Sequence, residues 1–114
     1  MRLITDEIST SLITNGQLFQ RNPDFDPHPV VKLFTPDAAA TWLIASADPK
    51  DPDLLFGLCD LGVGFPELGS VLLSEIQSVR GRLGLRVERD LTFKADRPIS
   101  AYARAATAAR RIVA

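Results

Sequence analysis

Apolar residues change their spacing several times along this chain, and each change marks an element. Ile4, Ile8 and Leu12 recur every fourth residue, the repeat of one helical face. Thr5, Asp6 and Glu7 supply a cap and first-turn negative charge, and Asn15-Gly16 offers a left-handed stop. The pattern predicts a helix over 5–14, fraying toward Gln20. Asn22–Pro29 holds three prolines and two aspartates, the composition of an extended connector without regular structure.

Short apolar runs come next. Val30–Thr35 reads as a strand and Pro36–Ala40 as a turn. Thr41–Ala47 mixes alanines, which favour helix, with a Thr-Trp-Leu-Ile run that favours a strand. The Asp48–Pro52 cluster behind it has the composition of a loop between antiparallel strands, which decides for strand. Leu54–Leu61 is apolar on both alternating faces, as in a strand covered on both sides. Gly62–Pro66 is a turn, and Leu68–Leu73 the next strand. Ser74 caps a short helix ending near Val79, with Gly81 as its stop. Val87–Ala95 alternates, with Val87, Leu91 and Phe93 opposing Glu88, Asp90, Thr92 and Lys94, which predicts a half-exposed edge strand. Pro98 opens the last helix, whose stripe is Ile99, Tyr102, Ala106 and Ala109. The prediction is an α+β fold in the order α-β-β-β-β-α-β-α. It is a single domain over 1–114, with a mostly antiparallel sheet of about five strands flanked by helices.

Composition narrows the class. A chain of 114 residues can bury a core without metals or disulfides, and its one cysteine, Cys59, excludes an internal disulfide. No apolar run approaches the length of a membrane span, and residues 1–20 lack the basic start and apolar stretch of a signal peptide. A cytoplasmic protein is expected.

Charge changes the picture more. Nine of the thirteen Lys and Arg residues lie from Arg80 onward against three acids, a net of +6, while residues 1–79 carry four cations against eleven acids, a net of −7. Such opposed blocks bear on partners and steering. A contact surface for nucleic acid or an acidic protein would be built from Arg80, Arg82, Arg86, Arg104 and Arg111. On sequence grounds the bland alternative weighs more: the basic block neutralises the acidic one inside the fold. Nucleic-acid binders combine basic pI with interleaved aromatics, whereas here the pI is about 5.7. An acidic counterpart surface would comprise Asp48, Asp51, Asp53 and Glu67.

Catalytic chemistry finds little purchase. His28 is the only histidine, so sites needing two imidazoles are excluded. Asp24, Asp26 and His28 alternate on a connector that lacks a second shell to fix a metal. Asp48, Asp51 and Asp53 lack the glycine and glutamate of a calcium loop. Gly62, Gly64 and Gly69 resemble a phosphate loop only loosely, since a strand follows with Pro66-Glu67 inserted and no helix N-terminus comes directly after the glycines. Cys59 sits among apolar neighbours, where a thiol is a poor nucleophile. No cofactor or metal is expected, and the protein reads as a non-enzyme. The competing reading is an enzyme or small-molecule sensor with a pocket near Trp42, Phe56 and Asp60. A third is a homo-oligomer or scaffold joined through the Ala-rich last helix.

Several blocks carry a resemblance. They are Pro29–Ala38 with Thr41-Trp42-Leu43, Phe56–Gly62, Pro66–Gly69, Leu73–Ile76, Glu88–Leu91 and Pro98–Tyr102. In this order they resemble a bacterial domain-of-unknown-function family of small proteins carried on plasmids and integrative conjugative elements. The resemblance brings no activity, cofactor or site residue. It implies an accessory role in transfer, establishment or counter-defence of mobile DNA, where an acidic face would mimic DNA phosphates. Ser70 stands where the family resemblance leads one to expect an aromatic.

Overall fold

In the computed structural model, which describes all 114 residues, the elements are α1 (Asp6–Arg21), β1 (Val31–Phe34), β2 (Thr41–Asp48), β3 (Asp51–Asp60), β4 (Glu67–Leu72), α2 (Leu73–Ser78), β5 (Glu88–Arg89) and α3 (Ile99–Ala109). The five strands form one antiparallel sheet in the order β4-β3-β2-β1-β5. The predicted α+β class and element order hold.

Two apolar layers sandwich the sheet. On one face Leu12 of α1 and Ile76 of α2 pack with Val31, Leu33, Trp42, Ile44, Leu55 and Val87. On the other, Ile99, Tyr102 and Ala106 of α3 pack with Leu43, Ala45, Leu58 and Ile112. Alternate β2 side chains therefore enter opposite cores, which is why Trp42–Ala47 is buried throughout. The near-continuous apolarity of β3 has the same origin, since Leu55 joins the first core and Leu58 the second.

Four elements depart from expectation, α2 only slightly: it runs Leu73–Ser78 with Leu72 rather than Ser74 at its cap and Val79 rather than Gly81 at its end. Helix α1 begins as predicted, with the Thr5 hydroxyl accepting from the Ile8 N–H at 3.2 Å, but runs through Asn15-Gly16 to Arg21. The reason is contact with the sheet: a Cβ at Gly16 would collide with the Ala47 carbonyl oxygen. Beside it, Asn15 Nδ2 donates to the Ala45 carbonyl at 2.8 Å. The dipeptide that reads as a stop is a close-approach point instead.

Strand β3 begins at Asp51, so the expected loop 48–52 shrinks to the turn at Pro49-Lys50. The predicted edge strand Val87–Ala95 contracts to Glu88–Arg89. Asp90 ends it, its carboxylate accepting from both the N–H and the hydroxyl of Thr92 at 2.9 Å. The alternating apolar residues then part company: Val87 enters the first core, Phe93 packs beside the second, and Leu91 is exposed.

The two ends of the sheet gather different loops. The β2–β3 turn and the start of α2 share one end. The β1–β2 loop, the β3–β4 loop and the C-terminal end of α3 share the other, because Thr41 pairs with Asp60 and Asp60 accepts from the Ile112 N–H.

Candidate functional site

The basic residues beyond α2 are organised by a small hairpin. Arg80 and Arg86 form an antiparallel bridge, Gly81 N–H donates to the Leu85 carbonyl at 3.0 Å, and Gly84 turns the chain at φ +80°. A carboxylate from the β1–β2 loop holds this turn: Asp37 Oδ2 accepts from Leu83 N–H at 2.7 Å and from Leu85 N–H at 3.2 Å. Its other oxygen, buried without a hydrogen-bond partner, occupies the place a Cβ on Gly81 would need. Glycine is thus required at 81 by the clamp itself.

The five candidate arginines remain free of carboxylates. The ion pairs in the molecule are Arg2–Asp6, Lys32–Asp90 and Arg97–Asp96, and none of the five takes part. Arg80 turns back on α2, where its Nη1 donates to the Gln77 and Val79 carbonyls, both at 2.9 Å, as a cation at a helix C-terminus should. Arg82 is exposed without a polar partner, and Arg86 borders a groove of about 450 Å³ with Met1, Leu3, Leu73 and Gln77. Arg104 and Arg111 are also exposed, but they belong to α3 and its C-terminal turn on the opposite face of the sheet. The basic set is therefore two groups, not one patch. Both reach the same end of the sheet through the Asp37 and Asp60 contacts.

That end is also apolar on its outside. Leu83 is 81% exposed and Leu85 46%, while Leu61, Val63 and Phe65 on the β3–β4 loop are each about two-thirds exposed or more. Gly62 packs this loop against Ala39 of the β1–β2 loop. Three loops thus converge, carrying exposed leucines and unpaired guanidinium groups together.

The acidic set divides as well. Asp48, Asp51 and Asp53 lie at the β2–β3 turn, whereas Glu67 pairs with Cys59 toward the far end of β3. Six strand residues separate Asp53 from Cys59, roughly 20 Å. Asp53 is moreover engaged: it accepts from the Ser74 N–H at 3.1 Å and hydroxyl at 2.9 Å, capping α2 from outside the helix. The Trp42, Phe56 and Asp60 grouping does not assemble into a pocket. Trp42 is a core residue, 2% exposed. Phe56 tilts against Phe19 of α1 with centroids 5.9 Å apart. The buried Asp60 carboxylate accepts from Gly62 N–H at 2.8 Å and Ile112 N–H at 2.9 Å.

Elsewhere, Cys59 packs against the first core, and burial pushes its thiol up to about 11. Asp26 of the connector accepts from the Ser100 N–H at 3.1 Å and also from its hydroxyl, so it anchors the start of α3. Asp96 is held below the usual carboxylate range by the Arg97 guanidinium and then the Tyr102 hydroxyl. The Arg97 guanidinium also sits 5.1 Å from the Tyr102 ring centroid. Asp37 is the functional residue that the sequence does not advertise. Its only signal is Pro36-Asp37 in a turn, and nothing local points to a partner more than 40 residues away.

A family model described as "Protein of unknown function (DUF2958)" matches residues 3–113. No curated protein and no solved structure matches the chain.

Proposed function

The chain belongs to the DUF2958 family of proteins of unknown function, and from its geometry we propose a non-enzymatic binding protein that presents the Arg80–Arg86 hairpin to an acidic protein surface. The observation that carries this is the absence of any carboxylate partner for Arg82 and Arg86, beside exposed Leu83 and Leu85. Internal neutralisation would have paired them. A hairpin pinned by Asp37 loses little conformational freedom on binding, so its charges and its leucine tip are presented ready-made.

Exposed leucines favour a protein over nucleic acid, because single-stranded nucleic acid is bound with aromatic platforms and duplex with phosphate contacts. The hairpin itself has no aromatic ring, and the loops converging on it add a single exposed one, Phe65, short of a stacking platform. The resemblance to proteins of plasmids and integrative conjugative elements directs the search for the partner to proteins of DNA transfer or of host defence.

Titration with an acidic peptide carrying leucines, run beside duplex DNA at low and at physiological salt, tests this. The reading expects the peptide to bind and Arg82→Glu with Arg86→Glu to weaken it at least about tenfold, the scale of truncating interface arginines. DNA binding that exceeds peptide binding, with the same loss in the double variant, would replace the acidic protein by nucleic acid.

A further inference from the structure

The two edges of the sheet are treated differently by the fold. At the β5 edge, the strand is two residues long and the N-terminal segment lies over it. There Arg89 donates through its guanidinium to the Arg2 and Leu3 carbonyls and through its N–H to Met1 Sδ. Natural edges are closed by such coverage, or by lysines, prolines and bulges. At the β4 edge none of these devices is present. Glu67–Leu72 pairs with β3 in unbroken register from Leu54↔Leu72 to Cys59↔Glu67. It contains no Pro, Lys or Arg, and its outward N–H and C=O groups meet no other strand.

A cleft lies beside this edge. Ser70 of β4, its cross-strand partner Phe56, and Phe19, Gly16 and Leu54 line a cavity of about 200 Å³. That is room for one large apolar side chain arriving next to the strand. The surrounding surface is mostly acidic: residues 51–79 carry the carboxylates Asp51, Asp53, Glu67 and Glu75 outside the core and no cation, and the nearest cations in sequence are Arg21 and Lys50, which follow the lining residues Gln20 and Pro49. Asp48 stands in the cleft wall as well.

We propose that the β4 edge accepts a sixth strand from a partner protein, an extended segment alternating Lys or Arg with apolar residues, one of which enters the Phe19–Phe56 cleft. Main-chain hydrogen bonds to an edge supply affinity without sequence, and a side-chain pocket supplies selection. The acidic surroundings select the cations and disfavour a second copy of this chain, which would bring the same carboxylates face to face. This surface is separate from the arginine hairpin, so either can fail without the other.

The test uses the whole chain and the peptide Lys-Val-Lys-Phe-Lys-Val, with Glu-Val-Glu-Phe-Glu-Val as its control. Amide hydrogen exchange of residues 67–72 is expected to slow on adding the lysine peptide and not the glutamate one. Ser70→Lys, an exposed position, is expected to weaken binding at least about tenfold by placing a cation on the edge. Glu67→Lys serves as a second variant with the same expected direction. The proposal is overturned if protection at 67–72 is unchanged, if both peptides bind equally, or if light scattering finds the edge already paired in a dimer.

Discussion

Asp60 shows most plainly how single side chains hold this protein. Its buried carboxylate receives two backbone N–H groups, one from the β3–β4 loop and one from the segment behind α3. Asp60→Ala would leave the Ile112 N–H buried without an acceptor, a cost of about 1–3 kcal/mol, while the exposed Gly62 N–H can turn to water. Urea unfolding should report that loss, and an unchanged midpoint would refute the anchoring role. Arg110 carries the opposite kind of prediction. It caps α3 at φ +60°, a conformation unfavourable for a residue with a Cβ. Arg110→Gly should therefore stabilise by up to about 1 kcal/mol, measured the same way, and destabilisation would contradict the strain. Cys59 gives a chemical check. With burial raising its thiol from 9.0 to about 11, alkylation near neutral pH should run about tenfold or more slower than for an ordinary cysteine, the lower thiolate fraction being partly offset by higher intrinsic nucleophilicity. Its apolar neighbours make that environment legible from sequence. Gly16 is not legible, because the Ala47 carbonyl that requires it lies 31 positions away.

At the scale of elements, distant aspartates do the capping. Asp53 caps α2, Asp26 anchors the start of α3 and Asp37 pins the arginine hairpin, none of them a neighbour in sequence of what it holds. Helices and strands are readable where periodicity and local turn chemistry agree, as in β1, β2 and the start of α1. Periodicity misleads where a tertiary contact or a single side chain decides the boundary, as at Gly16 and at Asp90. The acidic block shows in the sequence as charge, while its use as internal acceptors does not, since hydrogen-bond partners across 21 to 74 positions leave no local signature. Asp90 yields a pH prediction at this scale. Hydrogen bonds from the Thr92 N–H and hydroxyl, then the Lys32 charge, lower its carboxyl below the ordinary value. A lowered folded pKa contributes stability that is complete above the unfolded value and is lost as pH falls through the folded one. Thr92→Val removes one donor and should raise the Asp90 pKa toward the ordinary value in an NMR titration; no upward movement would contradict the assignment.

Over the whole molecule, the charge segregation seen along the sequence survives folding only in part. The candidate arginines fall in two groups, the hairpin and α3 with its C-terminal turn, on opposite faces of the sheet, and the acids spread from the β2–β3 turn to Glu67. Neither half is a single plate of one sign. What does persist is that the hairpin arginines have no internal carboxylate partner, and it is this freedom, together with the exposed leucines around them, that supports a contact surface. The β4 edge adds a second surface of opposite sign. No helix is long and apolar enough to cross a membrane.

Comparing two variants by urea denaturation tests the freedom of the arginines most directly. With Arg82→Gln and Arg86→Gln together, stability should stay within about 0.5 kcal/mol per substitution, as for surface positions with no internal task. Asp37→Ala, by contrast, should lose about 1–3 kcal/mol as Leu83 and Leu85 forfeit their acceptor. A loss in the arginine variant as large as that in Asp37→Ala would show the guanidinium groups to be internal ballast for the acidic block, and the contact surface would go with it.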